Sequence, residues 1–598
     1  MSERTGGVPL FVEEVTRLLL ERGEQGGAQA IPPTLQQSLA ARLDRLGSAR
    51  ETAQIGAVLG RGFSYALLQS VAGLDGGALQ STLERLAEAD ILFVEGHGPQ
   101  ATYRFKHALI QDAAYDSLLK SRRQALHAQA AEILRDSASP EPEAVAHHFT
   151  QAGLDDLAIE WWGKAGDQAL RRSAFQEAIA HLGKAIAMAD KAAGGKAAGE
   201  RLHLQTAYGN ALIGARGHGA PETIEAFAKA RESAYAEKDA PVRFAADYGL
   251  YAGAYTHGEL AQARAYAETL LRNVADRPDS AEAGVAQRAV GLTRWFAGEY
   301  REAQDHLERA LALFQPGRDD DLAFRFGWDA GVGTTLYLAI VLWPMGDVER
   351  AVSLVRGAQT RLAGLSHIGT HALANMHTAL FELMRGNFSH AAPNAVELAR
   401  IAGEHDLPIW RAFGLFLQGA ATTEGQTLGE GLTDMRRGVE LMSEENDMRF
   451  AGLIKIALAE AEARAGNVDR ALAILDEALA TCERIGQRAF EAELHRVRGD
   501  MLLKHDPAHP ASAEAAFGRA IEIAAAQGTR SFGLRAALAL AKLYQSTSRL
   551  NDAHAVLAPA LDGFAPTSQM PEIAEAQALL AELSQTAEVK GQQRGYSG

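Results

Sequence analysis

The stretch "GEYREAQDHLERALALF" (Gly298–Phe314) decides the fold of this chain of 598 residues. A polar stretch follows the first glycine, and Ala303 stands five positions after that glycine. Apolar residues recur at Leu307, Leu311 and Phe314, which is the spacing of one face of an α-helix. Glycine ends a helix readily because it tolerates the left-handed conformation of a C-cap. The stretch therefore predicts a turn at the glycine and an amphipathic helix after it.

The same arrangement of turn, polar stretch and alanine recurs along the chain. The further copies are "GLDDLA" (Gly153–Ala158), "SAFQEA" (Ser173–Ala178), "GELAQA" (Gly258–Ala263), "GDVERA" (Gly346–Ala351), "GNFSHA" (Gly386–Ala391) and "GNVDRA" (Gly466–Ala471), with looser ones at "PASAEA" (Pro510–Ala515) and "SRLNDA" (Ser548–Ala553). From residue 258 the turn glycines follow at intervals of 40, 48, 40 and 80 residues. The last interval leaves room for a degenerate copy, "GQTLGEGL" (Gly425–Leu432).

Such a repeat predicts stacked helix pairs. One pair cannot bury its apolar face alone, so neighbouring copies must stack into a solenoid. The pattern resembles tetratricopeptide repeats, although its period exceeds their 34 residues. We therefore expect longer helices, or longer connectors such as "QPGRDDD" (Gln315–Asp321). The predicted fold class is mostly all-α, with a tetratricopeptide-like α-solenoid over residues 136–585 and a disordered tail over residues 586–598.

Composition and charge narrow the possible classes of protein. The net charge of −16 disfavours nucleic acid and anionic membrane as partners. The single cysteine, Cys482, excludes an internal disulfide, and its helical position predicts a buried core thiol. The longest apolar stretch, Leu336–Met345, is too short to span a bilayer. We expect a cytoplasmic protein whose many carboxylates lie on solvated repeat faces.

Residues 48–135 show a different pattern from the repeats. The spacing predicts helices over Ser48–Leu59, Ser64–Gly73 and Gly77–Asp90, then strands over Ile91–Gly96 and Ala101–His107, and a long helix with one break. This order predicts a winged-helix-like domain with its connecting helix. The candidate recognition helix, Ala78–Asp90, is net negative, which disfavours DNA reading through it.

Several quoted segments resemble one known group of proteins. "TGGVPLFVEEVTRLLLE", "IPPTLQQSLAARLDRLG", "YRFKHALIQDAAYDSLLKSRRQALHAQAAEIL" and the repeat tail "AEAAFGRAIEIAAAQGTRSFGLRAALALAKLY" are similar to large bacterial signal-transduction NTPases. Many of those proteins carry an adenylate/guanylate cyclase domain, an AAA-type ATPase module and tetratricopeptide-like repeats. The chain resembles the C-terminal part of this architecture. Residues 1–47 would be a remnant of the helical part of the NTPase module.

The resemblance implies three nucleotide-proximal residues. A Gly-x-Pro motif closes the nucleotide-binding module of this group, with its proline near the adenine, and here Gly7 and Pro9 match it. A histidine in the winged helix senses the bound nucleotide's β-phosphate, and His107 stands at the matching position. The residues alone predict more ordinary roles: Pro9 and His107 each stand where a helix starts.

The residues that nucleotide chemistry requires are missing from this chain. Each of its three Gly-Lys pairs, at Gly163, Gly183 and Gly195, is followed by alanine, and none has the earlier glycine of a phosphate-binding loop. The chain also lacks the cyclase domain with its metal-binding aspartates. We therefore expect no enzyme activity, no catalytic or metal site, and no cofactor for this chain alone. ATP or ADP would enter only with a supplied NTPase core.

The sequence thus favours a non-catalytic regulatory and sensor scaffold. It would bind a partner protein or a small ligand on the concave face of the solenoid, and an NTPase or cyclase domain is a second candidate partner. Two alternatives stay open. One is a fragment of an active adenylate cyclase or ATPase with a misassigned start, and the other is a winged-helix transcriptional regulator.

Overall fold

A computed structural model describes residues 35–96, 98–191, 197–237, 240–423, 428–567 and 569–595. The chain divides into two compact units: unit 1 comprises residues 1–167 and 180–200, and unit 2 comprises residues 168–179 and 201–598. Within the described residues there are 29 α-helices and three short strands, so the mostly α-helical fold class is confirmed.

Unit 1 combines helices with one small sheet. Its elements are α1 (Leu35–Asp44), α2 (Ala49–Leu59), β1 (Gly62–Ser64), α3 (Tyr65–Ala72), α4 (Gly76–Glu88), β2 (Leu92–Glu95), β3 (Thr102–Phe105), α5 (Ala108–Asp116), α6 (Lys120–Arg135), α7 (Pro142–Ala152), and the greater parts of α8 (Asp155–Arg171) and α9 (Phe175–Lys191).

The sheet is antiparallel, with β3 between β1 and β2. Tyr103 is the central partner, because it pairs with Phe63 on one side and Val94 on the other. Tyr103 and Phe105 alternate with exposed residues along β3 and face the core, as a half-buried strand requires. Leu79, Leu83 and Leu86 of α4 belong to the same core.

The predicted elements of this region agree with the observed ones to within a few residues. The predicted long helix is broken between Asp116 and Lys120, which gives α5 and α6. Strand β1 is not predicted from the sequence, since three residues are too few to show an alternating pattern. Residues 136–167, which were predicted to open the repeats, belong to unit 1.

Unit 2 is built from consecutive antiparallel helices. They are α10 (Ala197–Arg216), α11 (Pro221–Glu237), α12 (Ala240–Thr256), α13 (Leu260–Asn273), α14 (Ala281–Phe296), α15 (Tyr300–Leu313), α16 (Leu322–Phe326), α17 (Ala330–Met345), α18 (Val348–Leu362), α19 (Ile368–Met384), α20 (Phe388–Glu404), α21 (Pro408–Thr422), α22 (Leu428–Glu444), α23 (Ala451–Arg464), α24 (Val468–Ile485), α25 (Glu491–His505), α26 (Ala511–Gln527), α27 (Arg530–Ser546), α28 (Leu550–Leu561) and α29 (Pro571–Gly595). The last helix extends into the segment 586–598 that was predicted as a tail.

The predicted turns lie between paired helices. The predicted turn glycines that the structure describes all have a positive φ, from 72° at Gly258 to 97° at Gly346, as a left-handed C-cap requires. Gly425 of the degenerate copy lies outside the described residues. Ser173 and Ser548 take the same conformation without the freedom of glycine. The unusually long interval before Gly346 is explained by its connector, which contains the extra helix α16.

The alanine that follows each of the clear turns is buried. Ala263, Ala303, Ala351 and Ala471 are all fully buried, as a small residue packed against a neighbouring helix requires. The looser copy at Pro510–Ala515 is wrong in register, because Ala515 is exposed and Ala513 is buried instead. Proline and not glycine precedes this helix, and α26 begins directly after it.

Two further sequence predictions have definite outcomes. Cys482 is buried on α24, and burial raises the pKa of its thiol to about 12, so the predicted core thiol is confirmed. Among the described residues, no helix is both long and apolar enough to cross a membrane. The predicted nucleotide-proximal residues Gly7 and Pro9 lie outside the described residues.

Candidate functional site

Unit 2 contains a groove of about 680 Å³, which we call the charged groove. Helices α23, α25 and α27 supply most of its lining, each through one face. On α23 the lining residues are Leu453, Ile456, Ala457 and Glu460, and this i, i+3, i+4, i+7 spacing places them on one side of a helix. A ligand in the groove would therefore contact the first helices of three consecutive pairs.

Aromatic and aliphatic side chains form the walls of the groove. Phe490 and Phe532 are both buried, with ring centroids 6.4 Å apart. Leu453 and Leu538 continue this apolar surface, and Ala539 on α27 is half-buried beside them. Apolar walls of this size suit the side chains of a polypeptide or an organic ligand.

The groove also contains Arg496, which holds three carboxylates. The N–O distances from its guanidinium are 2.6 Å to Asp500, 2.8 Å to Glu493 and 3.4 Å to Glu460. The Arg496 side chain is only 15% exposed, so these contacts are shielded from bulk water. Charge pairs of this kind are stronger than pairs on an open surface.

A second guanidinium extends the network across to α29. Arg535 contacts Glu572 at 2.7 Å and Glu493 at 3.3 Å, and it also donates to the carbonyl oxygens of Met384 and Arg385. The side chain of Arg535 is 11% exposed. Arg535 therefore links α27 to the last helix and to the turn after α19.

The carboxylates of this network differ in the direction in which their pKa is shifted. Burial alone would raise the pKa of Glu493, but Arg496 and Arg535 together lower it. Burial raises the pKa of Glu460 and of Asp500, and Arg496 offsets this only in part. Glu493 is thus well compensated as an anion, whereas the other two carboxylates lack sufficient positive charge around them.

A second polar cluster is buried in the helices that precede the groove. Arg288 on α14 is 5% exposed and stacks on Trp328, with its guanidinium carbon 3.6 Å from the ring centroid. Arg449 is buried as well but is paired with Asp447 at 2.5 Å. Among the described residues no carboxylate forms an ion pair with Arg288, so its main partner is an aromatic ring.

The surroundings of this cluster are neutral. Burial lowers the pKa of His218 and of His377 to about 3, and it raises the pKa of Tyr248 to about 12. The adjacent cavity, with Trp410 in its lining, measures only about 50 Å³, which is room for a few water molecules. The charged groove is therefore the better candidate for binding a larger partner.

The histidine predicted to lie near a nucleotide belongs to unit 1. His107 is half-buried and stands immediately before α5, where its carbonyl accepts the first helical hydrogen bonds. Its imidazole makes no capping hydrogen bond. The role of His107 at a nucleotide stays a prediction, because Gly7 and Pro9, the other residues that the resemblance places near the nucleotide, lie outside the described residues.

The charged groove was missed by the sequence analysis. Its acidic residues were interpreted as solvated repeat faces, and that interpretation is wrong for Glu493, which is 5% exposed. A signal was present: Glu493, Arg496 and Asp500 share one helix face at i, i+3 and i+7, and Arg535 occupies a comparable place in the next pair. Charges on the face that packs against neighbouring repeats are unusual because their burial is costly.

No protein-family model matches the chain, and a curated protein matches it at low identity. An uncharacterized protein of Rhizobium meliloti (strain 1021) is 26% identical over 554 residues, which are 89% of this chain and 53% of that protein. The chain thus spans about half the length of the curated relative that it matches.

Solved structures with a similar fold are helical-repeat proteins. A Rap protein in complex with competence and sporulation factor has 13% identity and a TM-score of 0.44, covering 62% of this chain and 99% of that chain. A signal transduction ATPase with a tetratricopeptide repeat sensor, from Pyrococcus horikoshii, has 14% identity and a TM-score of 0.33, covering 75% and 71%. These low identities and scores describe a similarity of fold and nothing further.

Proposed function

We propose that this chain is a regulatory scaffold that binds a polypeptide partner in the charged groove. The observation that carries this proposal is the groove itself, about 680 Å³ in volume, with apolar walls and a network of buried charges. Apolar walls supply affinity, and buried charges select ligands that satisfy them. Because three helix pairs line the groove, an occupant would also affect how those pairs pack.

A binding measurement with a blocked groove tests this proposal. Ala539→Trp places a large side chain at a half-buried position of the lining. Ala480→Trp adds the same side chain at an exposed position of α24, outside the groove, and is the matched control. We expect peptides selected from a random library on the wild-type chain to lose binding to Ala539→Trp and to keep it with Ala480→Trp. Equal binding to both variants would contradict the proposal.

We also propose that the chain works as the C-terminal signalling part of an NTPase or cyclase regulator. The resemblance of the quoted motifs supports this, as does the antiparallel three-stranded sheet beside helices in unit 1, an arrangement compatible with a winged helix. His107 would then face a nucleotide held by an NTPase core. Titration with Mg–ATP tests whether the nucleotide is held by that core and not by this chain. We expect no tight binding of Mg–ATP to the chain alone, and submicromolar binding would contradict the proposal.

A further inference from the structure

The charged groove carries more negative than positive charge. Two of its ion pairs are balanced: Arg385 with Glu382 at 2.7 Å, and Lys542 with Glu575 at 2.7 Å. The remaining cluster has two guanidinium groups and four carboxylates, an excess of two negative charges. Its members are Arg496, Arg535, Glu460, Glu493, Asp500 and Glu572.

Two other cations act on this cluster only from a distance. Arg464 lowers the pKa of Glu460, and Lys504 lowers the pKa of Asp500. Within the described part of the chain, neither cation forms an ion pair with the cluster, and Arg464 donates instead to the Thr423 hydroxyl at 3.1 Å. They reduce the negative potential of the groove but add no direct partner to its carboxylates.

The excess charge is concentrated at Glu460 and Asp500. Their side chains are 33% and 32% exposed, whereas the side chain of Glu493 is buried. One oxygen of Glu460 and one oxygen of Asp500 bind Arg496, and the second oxygen of each accepts no hydrogen bond from any described residue. Glu493 Oε2 is buried and also lacks a donor. The open side of the groove thus presents acceptors that no residue of the groove fills.

A cationic group would satisfy these acceptors. A carboxylate accepts charge-assisted hydrogen bonds from an ammonium or guanidinium group, and such bonds are stronger than neutral ones. Partly buried carboxylates gain more from such a partner than exposed carboxylates do, because water and salt screen them less. The half-buried apolar side chains of Phe388 and Leu503 in the lining would at the same time contact the aliphatic stem of a long basic side chain.

We propose that the polypeptide partner of the charged groove enters it with a lysine or arginine side chain, whose cationic group lies between Glu460 and Asp500. This inference rests on the proposed function and specifies the chemistry of the partner. The groove would reject a segment with an acidic side chain at that position, because it would add a third uncompensated anion.

Fluorescence anisotropy with three matched peptide pools tests this inference. The pools share one length and one randomised apolar background and differ only at a fixed central residue, which is lysine, glutamine or glutamate. We expect the lysine pool to bind the wild-type chain at least tenfold more tightly than the glutamine pool, and the glutamate pool to bind least. Equal binding of the lysine and glutamine pools would overturn the inference.

Variants of the two carboxylates assign the effect to its residues. Glu460→Gln and the double variant Glu460→Gln/Asp500→Asn should each lose the preference for lysine, while the binding of the glutamine pool stays within about twofold. Glu483→Gln removes the same charge from the exposed face of α24 and should change nothing. A lysine preference that persists in the double variant would overturn the inference.

The outcome also separates this inference from the proposed function. If all three pools bind equally and Ala539→Trp abolishes their binding, the groove binds polypeptides but does not select a cation. If Ala539→Trp leaves the binding of every pool unchanged, the proposed function itself is contradicted. Thermal melts check folding: Glu460→Gln relieves a like-charge excess, so its unfolding midpoint should not fall below that of Glu483→Gln.

Discussion

Replacing Gly438 with alanine should force two helices apart. A Cβ atom at this position of α22 would lie 2.7 Å from Phe416 Cβ and 2.9 Å from both Cα and N of Phe416. These atoms are fixed to the backbone of α21, so no rotamer change can relieve the overlap. Carbon contacts are most favourable at about 3.5–4.0 Å, and the helices must therefore separate by roughly 1 Å.

The expected cost follows from two opposing effects. Overpacking a well-packed interface costs about 1–3 kcal/mol, and a rigid backbone contact belongs at the upper end of that range. Alanine recovers about 1 kcal/mol over glycine through its helix propensity. We therefore expect Gly438→Ala to lower the stability of unit 2 by roughly 2 kcal/mol.

Urea unfolding followed by far-ultraviolet circular dichroism measures the change. A repeat array need not unfold in one step, so the comparison is between unfolding midpoints. Gly357→Ala is the control, because Gly357 is exposed in the middle of α18 and its added Cβ would meet nothing within 4 Å. The free energy of unfolding of this control should rise by up to about 1 kcal/mol, because alanine favours the helix over glycine. If Gly438→Ala is as stable as that control, the close crossing of α21 and α22 is refuted.

Three further predictions concern buried side chains. Burial lowers the pKa of His127 to about 3 and of His148 to about 4, below the usual value of 6.5. Because the unfolded state therefore binds more protons at acidic pH, the free energy of unfolding of unit 1 should fall by several kcal/mol between about pH 7 and pH 4. His148→Asn removes one of the two groups, so the midpoint of its thermal melts should depend less steeply on pH. Cys482 should react with a thiol reagent only after unfolding, and rapid reaction of the native chain would contradict its burial. Arg288→Met should leave the thermal midpoint nearly unchanged, while Arg449→Met should lower it strongly because it leaves Asp447 as an unpaired buried anion.

The helical architecture could be predicted because its causes are local. Glycine at a turn and alanine at a crossing are each determined by the backbone next to them, and Gly298 and Ala303 lie where the spacing predicts. The prediction fails at Ala515, where no glycine marks the turn and the register depends on the connector. It also fails for β1, whose three residues form a strand only because β3 pairs with them.

The charged groove could not be predicted because its cause is not local. Arg535 reaches Met384 and Arg385, which lie about 150 residues earlier in the chain. No periodicity within one helix pair shows which side chains from distant pairs will meet. An acidic residue on a packing face can be recognised from the sequence, but whether an arginine compensates its charge depends on how the pairs stack.

Site-specific photo-crosslinking shows directly whether a partner occupies the charged groove. A benzoylphenylalanine placed at Ala539 lies in the groove lining, and the same residue placed at Ala480 lies on the exposed face of α24. With the lysine-centred peptide pool as probe, the account predicts crosslinks at position 539 that excess unlabelled lysine pool competes away, and none above background at position 480. Equal crosslinking at the two positions, or none at 539, would contradict the claim that the charged groove binds the partner.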